Sequence, residues 1–141
     1  MLNRRALLAF ASLMVSGPAR ALDGAPAEIA KGVTFFYLGA KDCPYCQAFM
    51  RDSFAELKQR TEDAGIRFVA METASLRDLH KPGVFGQWNP VWLKMVRRAG
   101  AGVPAFGLVD SGAFVDAHAG EWEMLLVKAI ARAEKLKAAA Q

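Results

Sequence analysis

The sequence is poor in the residues that build metal centres, with two cysteines and two histidines in 141 residues. Structural zinc asks for four ligands, and His80 and His118 stand without metal-ligand spacing. No metal ligand is therefore assigned, and neither histidine is given a role. Long apolar runs are also missing. The best candidate, residues 6 to 15, falls well short of the roughly 20 needed to span a bilayer. Internal repeats and low-complexity tracts are absent, and 141 residues suffice for one hydrophobic core but not for two. The 53% hydrophobic content is enough to fill that core.

The first residues have a different character. Arg4 and Arg5 precede the apolar run, Gly17-Pro18 breaks it, and Ala19-Arg20-Ala21 follows. This is the layout of a signal peptide cleaved after Ala21, so residues 22 to 141 are expected to form the mature domain in the periplasm. The arginine pair is compatible with twin-arginine or general export. The full chain has 18 basic and 14 acidic side chains. Losing residues 1 to 21 removes Arg4, Arg5 and Arg20 and no acid, leaving 15 against 14, a net charge of +1. That balance gives no electrostatic footprint for nucleic acid, and membrane contact is expected only during export.

Within the mature part, residues 22 to 32 read as a lead-in with a short helical turn at 27 to 30. The run Val33-Thr34-Phe35-Phe36-Tyr37-Leu38 has the length and β-branched, aromatic character of a strand covered on both faces. Cys46, Phe49, Met50, Ser53, Phe54, Leu57 and Thr61 then recur at helical spacing, which predicts one helix from the cysteines to a stop at Gly65. Residues 66 to 71 predict a second, parallel strand. Asn89 is expected to cap a helix with Pro90 in its first position, running to about 99. Residues 104 to 109 and 113 to 117 predict two strands joined by Asp110-Ser111-Gly112. A last helix, 121 to about 138, is expected to turn Trp122, Leu125, Leu126, Ala129, Ile130, Ala133 and Leu136 inward. Strand, helix, strand, helix, strand, strand, helix implies a mixed sheet with helices on both faces.

The two cysteines are separated by Pro44 and Tyr45. A disulfide closing so short a loop removes little entropy from the unfolded chain, so redox chemistry explains the pair better than bracing does. Cys43 lies where strand hands over to helix, and its sulfur can face the unpaired N–H groups and the positive dipole end that favour a thiolate. Pro44 suits the first turn. Cys46, one turn on, can resolve a mixed disulfide, which makes Cys43 the nucleophile and Cys46 the resolving thiol.

Cys43-Pro44-Tyr45-Cys46 after a central strand, and Gly102-Val103-Pro104 at the start of the third, resemble the thioredoxin-like superfamily over nearly the whole mature chain. The tetrapeptide is similar to that of glutaredoxins. The resemblance implies an α/β thioredoxin-like fold with a central mixed sheet flanked by helices. It also implies a cis Val103–Pro104 bond facing the cysteines and a client site made by Pro44, Tyr45, Val103 and Pro104. The implied activity is thiol–disulfide oxidoreductase. No cofactor is expected beyond the Cys43–Cys46 disulfide, and the implied partners are protein clients with thiols or disulfides and a membrane redox protein that recycles a monomer.

The departures are informative. Thioredoxins have tryptophan just before the nucleophile and a buried acid six residues before it, where this chain has Asp42 and Tyr37. Glu72 is a remote substitute for that acid. Ala105-Phe106-Gly107-Leu108 replaces the glycine pair and acid with which glutaredoxins hold glutathione. The excess length near residues 76 to 95 is too short for the large helical insertion of the periplasmic oxidase. Phe85, Trp88 and Trp92 in that stretch read as packing residues first and as an apolar client rim second. The alternative function is a Cys-x-x-Cys copper or zinc carrier, or a redox-inactive client-binding module.

Overall fold

The computed structural model describes residues 20 to 141. The expected signal peptide therefore lies outside the described residues apart from Arg20 and Ala21. Four strands form one sheet in the order β2-β1-β3-β4, where β1 is Val33–Ala40, β2 Arg67–Thr73, β3 Ala105–Asp110 and β4 Ala113–Ala119. β1 runs parallel to β2 and antiparallel to β3, and β3 runs antiparallel to β4. Four α-helices, α1 (Pro44–Asp52), α2 (Phe54–Asp63), α3 (Asn89–Ala99) and α4 (Glu123–Ala139), complete a thioredoxin-like fold. Among the described residues no helix is long and apolar enough to cross a membrane.

Every residue of β1 is buried, because the alternation of its side chains feeds two cores. Phe35 and Tyr37 join Phe49, Leu57, Phe106, Leu125 and Leu126 beneath α1, α2 and α4. Phe36 and Leu38 join Met71, Val91, Trp92 and Met95 beneath α3. The β3–β4 hairpin turns on Ser111 and Gly112, both at positive φ (50° and 81°), the backbone of a two-residue turn matched to strand twist.

Three expectations are corrected. The single helix after the cysteines is two helices broken at Ser53, where φ is −132°. Phe49 and Phe54 would sit about 140° apart on a regular helix, yet both rings contact Tyr37 and each other. The break rotates α2 so that both face one core, while Met50 turns outward. Asn89 does not cap α3. The 3₁₀ turn Gly86–Trp88 runs straight into the helix, so Asn89 adopts helical dihedrals (φ −55°, ψ −38°), incompatible with the extended backbone of a capping residue. Leu136 is exposed rather than inward, since α4, about 25 Å long, outruns the roughly 20 Å of β3 beneath it.

The aromatic residues of the inserted stretch pack. Trp88 stands edge-on to Phe36 at 5.5 Å between ring centroids, and Trp92 is buried 6.4 Å from Phe85.

Candidate functional site

The cysteines sit at the junction of β1 and α1. Cys43 is the residue that starts α1, with extended dihedrals (φ −85°, ψ 119°), and Pro44 occupies the first turn. Pro44 has no N–H to leave unpaired there. The Cys43 sulfur accepts a hydrogen bond from the Cys46 N–H at 3.2 Å, using one of the orphan donors of the helix start. Its thiol reaches the Val103 carbonyl at 3.9 Å. Both cysteines are free thiols and buried, whereas Tyr45 between them is 78% exposed.

The facing loop is held by β3 and β4. The Val103–Pro104 peptide bond is cis, Pro104 is buried, and its carbonyl accepts the Gly120 N–H at 2.8 Å. A groove of about 370 Å³ runs from Tyr45 and Ala48 past Val103 and Pro104 to Gly120 and Trp122. Pro44, Tyr45, Val103 and Pro104 thus gather at one end of the sheet around Cys43. The groove meets the motif at Val103, whose carbonyl lies 3.9 Å from the Cys43 sulfur.

A second opening, about 450 Å³, lies on the other side of the motif and is lined by Ala40, Lys41, Cys46, Gln47, Met50, Arg51 and Glu72. Glu72 therefore shares an opening with Cys46. Burial first, and the hydrogen bond with Cys43 second, push the Cys46 thiol up to about 11. The larger grooves along α4 and beside Leu22 contain no cysteine, and of the two openings at the motif the one shared with Glu72 is lined by Cys46. Among the described residues no group of three or more His, Cys, Asp or Glu is placed to hold a metal ion.

Asp42 has a structural task. Its carboxylate accepts the Leu76 N–H at 2.7 Å and the Ser75 hydroxyl at 2.9 Å, tying the loop before Cys43 to the turn after β2. The residue that sequence reasoning undervalued is Tyr37. It was legible as a tyrosine in the place of a buried acid, and the Tyr-x-Gly spacing Tyr37/Gly39 was the signal that its side chain lies along β1 over Gly39 toward Cys46.

No family model matches the chain, and no curated protein matches it. Among solved structures it is similar to a thioredoxin from Aeropyrum pernix, at 21% identity over 72% of this chain and 76% of that one, with a TM-score of 0.49. It is also similar to tryparedoxin II from C. fasciculata (21% identity, 78% of this chain and 82% of that one, TM-score 0.46) and to thioredoxin f from spinach chloroplast (15% identity, 74% and 80%, TM-score 0.46).

Proposed function

We propose that the protein is an exported thiol–disulfide oxidoreductase that exchanges disulfides with client proteins through Cys43. The observation that carries this reading is the Cys43 sulfur at the start of α1, hydrogen-bonded by the Cys46 N–H at 3.2 Å and flanked by the Val103 carbonyl and the adjoining groove. The sulfur thus faces a backbone donor at the start of the helix, where an attacking sulfur is needed.

In the reducing direction the Cys43 thiolate attacks a client disulfide, forming the Cys43–client bond as one client sulfur leaves with the electron pair. Cys46 then attacks Cys43, releasing the second client sulfur and leaving the Cys43–Cys46 disulfide. The oxidising direction is the same sequence reversed. The pair itself is the redox group, so the reaction needs no cofactor. The natural clients are extended protein segments, consistent with the open groove beside Val103, and a membrane redox protein returns the periplasmic monomer to its working state.

A disulfide-reduction assay on insulin, run beside metal analysis of the reduced protein, tests the class. Turnover by the wild type without bound metal is expected; copper or zinc at one equivalent with no turnover would favour a carrier. Equilibration with glutathione buffers then measures the reduction potential, which assigns direction.

A further inference from the structure

The Tyr37 side chain is fully buried, and its hydroxyl finds no hydrogen-bond partner among the described residues. Buried polar groups are nearly always paired, and Tyr37 is one of four among the described residues with a buried side-chain polar atom left without a partner, beside Thr34, Asn89 and Trp92. The ring is clamped by Phe49 at 5.1 Å, Phe106 at 6.0 Å and Phe54 at 6.4 Å, which leaves the hydroxyl little freedom to search for another partner. It lies along β1 over Gly39. A Cβ on Gly39 would stand 2.1 Å from the Tyr37 oxygen and 3.2 Å from the Cys46 sulfur. Both atoms therefore border the small space that the absent side chain leaves open.

Resting on the oxidoreductase reading, we propose that the Tyr37 hydroxyl donates a hydrogen bond to the Cys46 sulfur when it becomes a thiolate, and that Gly39 is glycine to let the hydroxyl reach it. Burial, followed by the nearby Cys46 and Glu72, raises the Tyr37 hydroxyl above its ordinary range. Tyr37 therefore keeps its proton and serves as a donor, not as a base. On Cys46 its influence is the opposite of burial, drawing the thiol back toward ionisation.

The proton that Cys46 loses goes to water in the opening shared with Lys41, Gln47 and Glu72. The thiolate attacks the Cys43 sulfur, the Cys43–Cys46 bond forms, and the bond from Cys43 to the client breaks with its electron pair on the leaving sulfur. The protein dithiol loses two electrons and the client disulfide gains them. Tyr37 exchanges no proton in this step.

Stopped-flow reaction of the reduced protein with dithiobis-nitrobenzoate separates the steps. The first equivalent of thionitrobenzoate reports attack by Cys43, and the second reports resolution by Cys46. In Tyr37→Phe, which keeps the ring, the first release should be unchanged. Losing a hydrogen bond to a charged sulfur costs about one unit, a tenfold loss of thiolate, while the freer thiolate is roughly threefold more nucleophilic. The second release should therefore slow about threefold at neutral pH, and the variant should overtake the wild type once the pH is high enough to ionise Cys46 in both proteins. An unchanged second release, or one slowed equally at every pH, overturns the assignment. No second release in the wild type would overturn the oxidoreductase reading itself and the Tyr37 assignment with it, a pattern distinct from either.

Discussion

Asp116 and Tyr37 are both buried polar side chains, on β4 and β1, and the fold treats them in opposite ways. The Asp116 carboxylate accepts from Arg98 of α3 at 2.8 Å, Lys128 of α4 at 2.7 Å and the Ala117 N–H at 2.8 Å, with His118 at 3.2 Å. Burial alone would raise it, but the bonds from Lys128 and Arg98, then the Ala117 N–H and His118, outweigh burial and hold it below the usual carboxylate range. It fastens a helix from each face around the β4 edge. Tyr37 has no such company. A fully satisfied polar group rigidifies a structure, whereas an unsatisfied one stays free to pair with a charge that develops beside it.

The largest effect expected from this contrast is on stability. Asp116→Ala should cost about 2 to 3 kcal/mol in urea unfolding, less than for a wholly buried pair because Arg98 and Lys128 can return to water. The kinetics of Cys43 should stay as in the wild type; a change there would break the division between the two regions. Gly39→Ala should cost about 2 kcal/mol by overpacking, because the ring its Cβ meets cannot swing aside. Near-neutral stability in that variant would show that the Tyr37 hydroxyl is not confined over Gly39.

Tyr37→Phe should be the mildest, neutral or stabilising by under about 1 kcal/mol, since it deletes an orphan hydroxyl and keeps the ring contacts. Destabilisation of 2 kcal/mol or more, on the same order as a lost satisfied bond, would reveal a partner for the hydroxyl.

The acid limb of stability sharpens the contrast further. A carboxylate lowered in the folded state contributes stability that is complete above its unfolded value, about 4, and disappears as pH falls below it. The wild-type urea midpoint should therefore drop steadily below about pH 4, and Asp116→Asn should flatten that limb. Near pH 8, iodoacetamide should label Cys43 before Cys46, whose thiol is held up to about 11; faster labelling of Cys46 would reverse their roles.

How far the sequence reveals this molecule depends on whether the determining interaction is local. The strand at 33 to 38 was legible because a continuous apolar run needs two covered faces. The place of Cys43 at the strand-to-helix handover was legible too, as was the turn at Asp110-Ser111-Gly112. Ser53 was not legible as a break, since what turns α2 is the demand of Tyr37 for both Phe49 and Phe54, a contact across the fold. Asn89 has capping chemistry, but the preceding 3₁₀ turn sets its dihedrals. Asp116 gave no sequence signal, because its partners Arg98 and Lys128 lie on two distant helices. Tyr37 was visible only as a departure from a familiar pattern, and its neighbour Cys46 is nine positions away.

The central claim is that Cys43 leads and Cys46 resolves, and trapping in the native host tests it most directly. Cys46→Ser leaves the nucleophile competent and removes the group that breaks the mixed disulfide. On a non-reducing gel this variant should run as higher-mass adducts that collapse to one band after reductant, while Cys43→Ser forms none. Equal trapping by both variants, or by neither with clients present, would contradict the account.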